Sequence, residues 1–110
     1  MGDVGTAKVF ENDRIMIWEF VIEPGERTPC HTHRHDYVFY VVDGSKLELF
    51  DEKDNSLFAF DFNTGGVFAL KCEGGELTSS DGKGLRAPAT HSACNRGASR
   101  YREILVEMKK

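Results

Sequence analysis

The chain has 110 residues and a formal net charge of −4 at pH 7, with 40% hydrophobic and 29% charged residues. This balance is typical of a folded globular protein rather than a disordered chain. The acidic charge, without clusters of Lys and Arg, argues against a nucleic-acid partner. No stretch approaches the ~20 apolar residues of a membrane span, and the N-terminal MGDVGTAKVF lacks the basic start and apolar run of a secretory signal. We expect one domain spanning residues 1–110, with no membrane partner.

The cysteines indicate a reducing compartment. Cys30, Cys72 and Cys94 are odd in number, and no two have the Cys-x-x-Cys spacing. This pattern favours a cytoplasmic location over a disulfide-stabilised scaffold. We interpret Cys30 and Cys94 as packing residues, with metal ligation by either as the lesser alternative.

Alternation of apolar side chains with a period of two predicts strands along most of the chain. Residues 14–22 give the first strand. One of its faces carries Met16, Trp18, Phe20 and Ile22. The other carries Ile15, Ile17, Glu19 and Val21. Since both faces are largely apolar, we expect one to line the interior and the other to meet a second sheet or another subunit.

Two further strands are predicted around a turn signal. Residues 37–42 form a β-branched and aromatic run that ends at Asp43-Gly44, and alternation resumes over 46–50. Asp-Gly between two strands is a strong hairpin signal. The sequence therefore predicts a hairpin from these two runs.

The second half of the chain continues the strand pattern. Phe58, Phe60 and Phe62 share one face of a predicted strand, and residues 67–70 form another. The C-terminal YREILVEM alternates Ile104, Val106 and Met108 with Glu103, Leu105 and Glu107, although its composition also suits a short helix. Short strands separated by Gly-rich turns predict an all-β sandwich or barrel.

All four histidines lie in two short segments, PCHTHRHDY at 29–37 and PATHSACN at 88–95. On an extended strand, His31 and His33 point to the same side, about 7 Å apart at Cα. Imidazole nitrogen binds zinc, iron, nickel, copper and manganese. His31 and His33 are therefore half of a candidate metal site, which His91 completes if its strand lies beside the first.

The spacing around these histidines resembles the two sequence motifs of the cupin family. The first runs from Gly25 through His31-Thr32-His33 to Gly44, with Tyr37 where the family has a glutamate. The second runs from Gly82 through Pro88 and His91 to Asn95. Its proline-to-histidine interval is two residues shorter than in the family, and the intervening glycine is missing.

The resemblance implies a small jelly-roll β-barrel that holds a divalent metal ion inside. Carried over residue by residue, it gives His31, His33 and His91 as the metal ligands. Tyr37 replaces the carboxylate, and a neutral phenol is a poor ligand. We expect Tyr37 to shape the pocket or to donate a hydrogen bond.

The fourth ligand stays open. His35 shares the parity of His31 and His33 on a strand, so it is an alternative fourth ligand and a candidate catalytic group with Tyr37. Asp36 is the only nearby carboxylate, and its opposite parity makes it a weaker candidate.

Three neutral imidazoles leave the full double charge on the ion, which favours an anionic, chelating ligand. The resemblance implies Fe(II) first, with Ni, Zn or Mn as alternatives, and an oxygenase-like reaction on a small oxyanionic substrate. Two alternatives stay open. One is a non-redox isomerase or lyase of a small carbonyl or sugar acid, in which Tyr37, His35 or Glu19 carries protons. The other is a non-catalytic binding protein. The doubly apolar strand at 14–22 and the aromatic face at 58–62 further predict a homodimer.

Overall fold

The computed structural model describes residues 5–109 and builds them entirely from strands and connecting loops. In chain order the strands are β1 (Ala7–Glu11), β2 (Ile15–Ile22), β3 (His31–Thr32), β4 (Asp36–Asp43), β5 (Ser45–Phe50), β6 (Ser56–Phe62), β7 (Val67–Glu73), β8 (Glu76–Ser79), β9 (Arg86–Pro88), β10 (Thr90–Asn95) and β11 (Tyr101–Met108). The all-β prediction is confirmed. Among the residues described, no helix has the length and apolar character to cross a membrane. Residues 1–4 and 110 lie outside this range, so the start of the MGDVGTAKVF segment and the ends of the predicted 1–110 domain are not described.

The strands form two antiparallel sheets. One has seven strands in the order β1-β2-β11-β4-β7-β8-β9, and the other has four in the order β3-β10-β5-β6. A single cluster of buried side chains joins them, with Trp18 and Leu105 from the larger sheet and Leu47 and Phe62 from the smaller one. Apolar faces of two sheets bury each other in this way because neither is stable in water alone.

The structure shows which of the two apolar faces of β2 is inside. Trp18, Phe20 and Ile22 are buried in the core, and Met16 packs against it. Ile15, Ile17, Glu19 and Val21 lie half-buried on the outer face. The predicted division of this strand is confirmed.

The C-terminal segment is the strand β11, not a helix, and its inner face is the more polar one. Tyr101, Glu103, Leu105 and Glu107 are buried, whereas Ile104 and Val106 are only half-buried. The register explains this choice, because Leu105 pairs with the inward Trp18 of β2 and with the inward Phe39 of β4. Two glutamates are thereby carried into the interior.

The predicted hairpin at Asp43-Gly44 is wrong. β4 pairs with β11 and β7 in the larger sheet, whereas β5 pairs with β10 and β6 in the smaller one. The chain crosses from one sheet to the other at Gly44, where an added Cβ would lie 2.3 Å from the carbonyl oxygen of Phe62. Glycine is required here for close backbone approach, and not for a two-residue turn.

The three phenylalanines of β6 lie on one face of the strand, as predicted, but they differ in how deeply they are buried. Phe58, Phe60 and Phe62 alternate along β6, with Phe62 buried, Phe58 half-buried and Phe60 exposed. Phe62 packs on Phe39 and Phe68 of the larger sheet. Of these three aromatic side chains, only Phe62 therefore belongs to the buried core, and Phe58 packs against it.

Candidate metal centre

Strand pairing brings the two histidine segments together. β10 lies antiparallel to β3, and His91 is directly opposite His31 in the register. Side chains of directly paired residues stand on the same face of a sheet, close enough to touch. The His31 and His91 ring centroids are accordingly 4.7 Å apart.

His33 completes the group although it lies just beyond the end of β3. Its backbone N–H donates to the carbonyl oxygen of Ala89 at 2.9 Å, which extends the link between the two segments. Its ring centroid is 5.1 Å from that of His31 and 5.0 Å from that of His91. One nitrogen from each of the three rings lies within 4.8 Å of the others, and all three residues are buried.

Backbone carbonyls orient two of the rings. Nδ1 of His31 lies 3.0 Å from the carbonyl oxygen of Pro29, and Nδ1 of His91 lies 2.7 Å from that of Pro88. A carbonyl only accepts, so each Nδ1 carries the proton and each Nε2 keeps a free lone pair. Imidazoles that bind metals are held in this way by a hydrogen bond at the other nitrogen.

The hydrogen bonding of His33 shows whether the three-histidine group suits a metal ion. Its Nδ1 is the one buried side-chain nitrogen or oxygen in residues 5–109 without a hydrogen-bond partner. An unpaired polar atom in the interior is costly, and it usually marks a functional group or an unseen ion or water. Three neutral nitrogen donors around one point are also a donor set that divalent transition metals accept. The residues present therefore fit a metal ion.

Burial keeps all three histidines neutral. It lowers the pKa of His31, and it lowers that of His33 well below its usual range with help from the neighbouring His91 and His31. Burial and the proximity of His31 together lower the pKa of His91 to about 4. Neutral imidazole is the form that binds metal, so the group is competent at neutral pH without losing protons.

The three histidines line one wall of a cavity of about 70 Å³ between the sheets. The other walls are mostly aliphatic and aromatic, and no lysine or arginine of the described residues lines them. Such a volume holds a few water molecules or one small ligand. The cavity can therefore bind a small molecule against the histidine group in an apolar setting.

Tyr37 lies at the site, and it occupies the position at which the first motif has a glutamate. It is buried on β4, and its ring stacks on that of His33 with centroids 4.4 Å apart and an angle of 19° between the planes. Burial, with the nearby Glu103, raises the pKa of Tyr37 well above its ordinary value, so the phenol is neutral. Its catalytic role stays a prediction.

The other polar residues considered from sequence lie elsewhere. His35 is half-buried in the bend between β3 and β4, and it is neither in the three-histidine group nor in the cavity wall. The Asp36 carboxylate accepts a hydrogen bond from the backbone N–H of Cys72 at 2.8 Å. Glu19 is on the outer face, 2.6 Å from Arg102. A catalytic role of His35 stays a prediction, although this placement gives it no direct support.

Sequence reasoning missed Glu103 as a residue of the cavity wall. It lines the cavity together with the histidines, it is 7% exposed, and it accepts a hydrogen bond from the Tyr101 hydroxyl. Burial raises the pKa of Glu103 to about 7, and the Tyr101 hydrogen bond opposes this only in part. The alternation in YREILVEM did place Glu103 and Glu107 on one face, but nothing in it indicated that this face is the inner one.

Asn95, the last residue of the second motif, has a structural role. It is fully buried, and its Nδ2 donates to the carbonyl oxygens of Ile22 and Ser99, both at 2.8 Å. Its Oδ1 accepts from the Ser45 hydroxyl and from the Gly97 N–H. With every polar atom satisfied by the fold, Asn95 ties the end of β10 to its neighbours.

Comparison with known proteins identifies the fold. Neither protein-family models nor curated protein sequences match the chain. Among solved structures, a cupin domain from Bordetella pertussis is similar over 100% of this chain and 99% of that one, with a TM-score of 0.69 and 19% identity. A Cupin 2 conserved barrel domain protein from Salinispora arenicola is similar over 91% and 71% of the two chains, with a TM-score of 0.55 and 16% identity. The chain thus has the cupin jelly-roll fold, as predicted.

A third similar structure is an enzyme. The polyketide cyclase RemF from Streptomyces resistomycificus matches over 90% of this chain and 57% of its own length, with a TM-score of 0.55 and 17% identity. At these identities the similarity is one of fold alone.

Glu103 gives the protein a pH-dependent stability that Glu103→Gln removes. The native state keeps a proton up to about pH 7, whereas the unfolded state loses it near 4.5, so this contribution to stability is complete below pH 4.5 and is lost as the pH rises through 7. We expect the variant to gain roughly 3 kcal/mol in free energy of unfolding relative to wild type between acid and mildly alkaline pH. Urea unfolding at a series of pH values measures this. The histidine contributions have the opposite sign and cancel in the comparison, so parallel curves would show that Glu103 titrates normally.

Proposed function

We propose that this protein binds one divalent metal ion through His31, His33 and His91 and is a metal-dependent enzyme for a small, chelating, oxyanionic substrate. The observation that carries the proposal is the convergence of three buried, neutral imidazoles, with one nitrogen of each within 4.8 Å of the others. They stand at the wall of a small apolar cavity.

The donor set favours an anionic ligand. Three imidazoles carry no charge, so the double charge of the ion is left for the ligand to balance, and a ligand that supplies two oxygens also fills open coordination positions. When bound, Fe(II) would supply the capacity to react with dioxygen, and Ni, Zn or Mn would supply Lewis acidity instead. Iron and an oxygenase-like reaction are the first choice within this proposal.

The protein's own residues hold and shield the ligand. Apolar side chains such as Phe20, Leu49 and Leu77 line the cavity and exclude bulk water, which strengthens electrostatic interactions inside it. Tyr37 keeps the His33 ring in place by stacking on it. Because burial raises the pKa of Tyr37 well above its ordinary value, the phenol is neutral and its hydroxyl is a donor for a ligand oxygen.

Metal content should depend on the three clustered histidines and not on the fourth. We expect wild-type protein to contain close to one equivalent of a divalent metal, and His33→Ala to lose most of it, because two remaining imidazoles bind far more weakly. Elemental analysis of the purified proteins measures this. His35→Ala is the matched control, since it removes an imidazole outside the group, and it should retain the metal. Equal metal content in all three proteins would contradict the assignment.

Oxygen consumption tests the reaction class. With Fe(II) and a panel of diketones, hydroxy acids and thiols, wild-type protein should consume dioxygen with at least one compound, and His91→Ala should not. An oxygen electrode measures this. Turnover with zinc or nickel in the absence of dioxygen would contradict the oxygenase hypothesis and favour a non-redox isomerase or lyase. Recovery of tightly bound but unchanged ligand would instead indicate a non-catalytic binding protein.

We also propose that the protein is a homodimer that pairs through the outer face of the seven-stranded sheet. Five apolar side chains form one row across five neighbouring strands of this face: Phe10, Ile17, Val106, Val38 and Ala69. In the adjacent row Tyr40 is 47% exposed and Val67 is 45% exposed. A continuous apolar face of this kind is typical of a subunit interface, and a two-fold axis would let two copies cover each other.

A charge in the middle of that row should break the dimer. We expect Val38→Glu to be a monomer at micromolar concentration, because the glutamate would be buried without a partner at the interface. Light scattering gives the mass. Leu57→Glu is the control, because Leu57 is also exposed but belongs to the smaller sheet. A wild-type mass near that of one chain would refute the proposed dimer.

A further inference from the structure

The cavity wall is apolar except at a few residues. The exceptions are the three histidines, Tyr37, Tyr101 and Glu103, and every other lining residue in the described part of the chain is aliphatic or aromatic. Tyr101 and Glu103 already hydrogen-bond to each other on β11. A charged or strongly polar group in the remaining space would lose its hydration and gain no partner. The space beside the histidines therefore suits an apolar part of a ligand.

Two alanines leave room next to the histidines. Ala93 follows His91 by two residues on β10 and lies on the same face, about 7 Å away at Cα. Ala87 has the corresponding place in the larger sheet, two residues before Ala89, whose carbonyl oxygen accepts the His33 N–H. Both alanines line the cavity. A larger side chain at either position would fill space that a ligand can occupy.

The cavity opens toward solvent between Phe58 and Leu85. The lining residues in the range 5–109 are buried except for these two and the two alanines, which are half-buried. Phe58 lies on β6, the edge strand of the smaller sheet, and Leu85 directly precedes β9, the edge strand of the larger one. The two edge strands are not paired with each other. A ligand can therefore enter between them.

A row of paired residues connects the histidines with this opening. Ala93 is opposite Leu49 in the register of β10 and β5, and Leu49 is opposite Phe58 in that of β5 and β6. Opposed side chains share a face of the sheet. Since neighbouring strands are about 4.8 Å apart, the Cα atom of Phe58 is roughly 12 Å from that of His91. The path from the histidines to the opening is thus short and lined by apolar side chains.

We propose that the ligand is a chelating oxyanion with a short apolar substituent, and that Ala93, Phe58 and Leu85 select this substituent. This inference rests on the proposed function, since the histidine-bound ion holds the chelating group. The substituent lies over Ala93 and Leu49 and points out between Phe58 and Leu85. Removal of its carbon atoms from water tightens binding by about fourfold in Kd for each buried methylene group.

A series of alkyl hydroxamates tests whether the substituent is apolar. These compounds share one chelating group of two oxygens and differ in chain length, so differences in their affinity report the cavity and not the ion. Titration calorimetry with the zinc-loaded protein should show that Kd falls about fourfold for each methylene group from acetohydroxamate to pentanohydroxamate. Equal affinity for the two compounds would overturn this inference alone. If acetohydroxamate itself does not bind, the proposed chelating site fails, and this inference fails with it.

Ala93→Leu tests where the substituent lies. The larger side chain fills the space beside His91, so the ratio of the Kd of acetohydroxamate to that of pentanohydroxamate should fall from roughly 60 to near one. Ala59→Leu is the matched control, because Ala59 follows Phe58 on β6 and is exposed on the opposite face. The control should keep the wild-type ratio. An unchanged ratio in Ala93→Leu would overturn the proposed path, and so would loss of the ratio in the control.

Leu85→Arg is a second variant that leaves the interior unchanged, because Leu85 is half-buried at the opening. Its guanidinium would pair with a carboxylate at the end of the substituent. Wild-type protein should bind succinic monohydroxamic acid roughly tenfold more weakly than pentanohydroxamate, since the carboxylate loses hydration without a partner. The variant should remove or reverse this preference. The same preference in both proteins would overturn the role of Leu85.

Discussion

The pairing of β3 with β10 is the constraint on which the site depends. β3 is only two residues long, yet it fixes His31 directly opposite His91, and the His33 N–H bond to Ala89 continues the link past the end of the strand. Because directly opposed residues share a face of the sheet, two segments about 60 positions apart in the sequence deliver their rings to one point. Without this register the three imidazoles would be separate, buried polar groups.

The site places polar groups inside an apolar cavity, and burial in this cavity shifts their pKa values. Burial removes the proton from the histidines by lowering the pKa of all three, and it adds one to the glutamate by raising the pKa of Glu103. Both shifts have one physical cause, the cost of a charge away from water. The result is a cavity whose walls are close to electrically neutral and whose charge is therefore set by what it binds.

The carboxyl group in the cavity does not come from position 37. At position 37 a neutral tyrosine stacks on His33. The carboxyl group in the same cavity comes instead from β11, at Glu103, which hydrogen-bonds to Tyr101 and is absent from the three-histidine group. The cavity thus contains a carboxyl group that is separate from the proposed metal ligands.

The sequence by itself determined most of the strands, the division of β2 into two faces and the choice of the three histidines, because alternation and motif spacing are local properties of the chain. It could not decide that Gly44 crosses between sheets, since Asp-Gly suits a hairpin equally well and only the partners of β4 and β5 distinguish the two. Nor could it decide which face of β11 is buried. That choice follows from the register of Leu105 with Trp18 and Phe39, and it brings Glu103 into the cavity. Contacts between distant strands are set by the packing of the whole core, and such packing is a property of the tertiary structure alone.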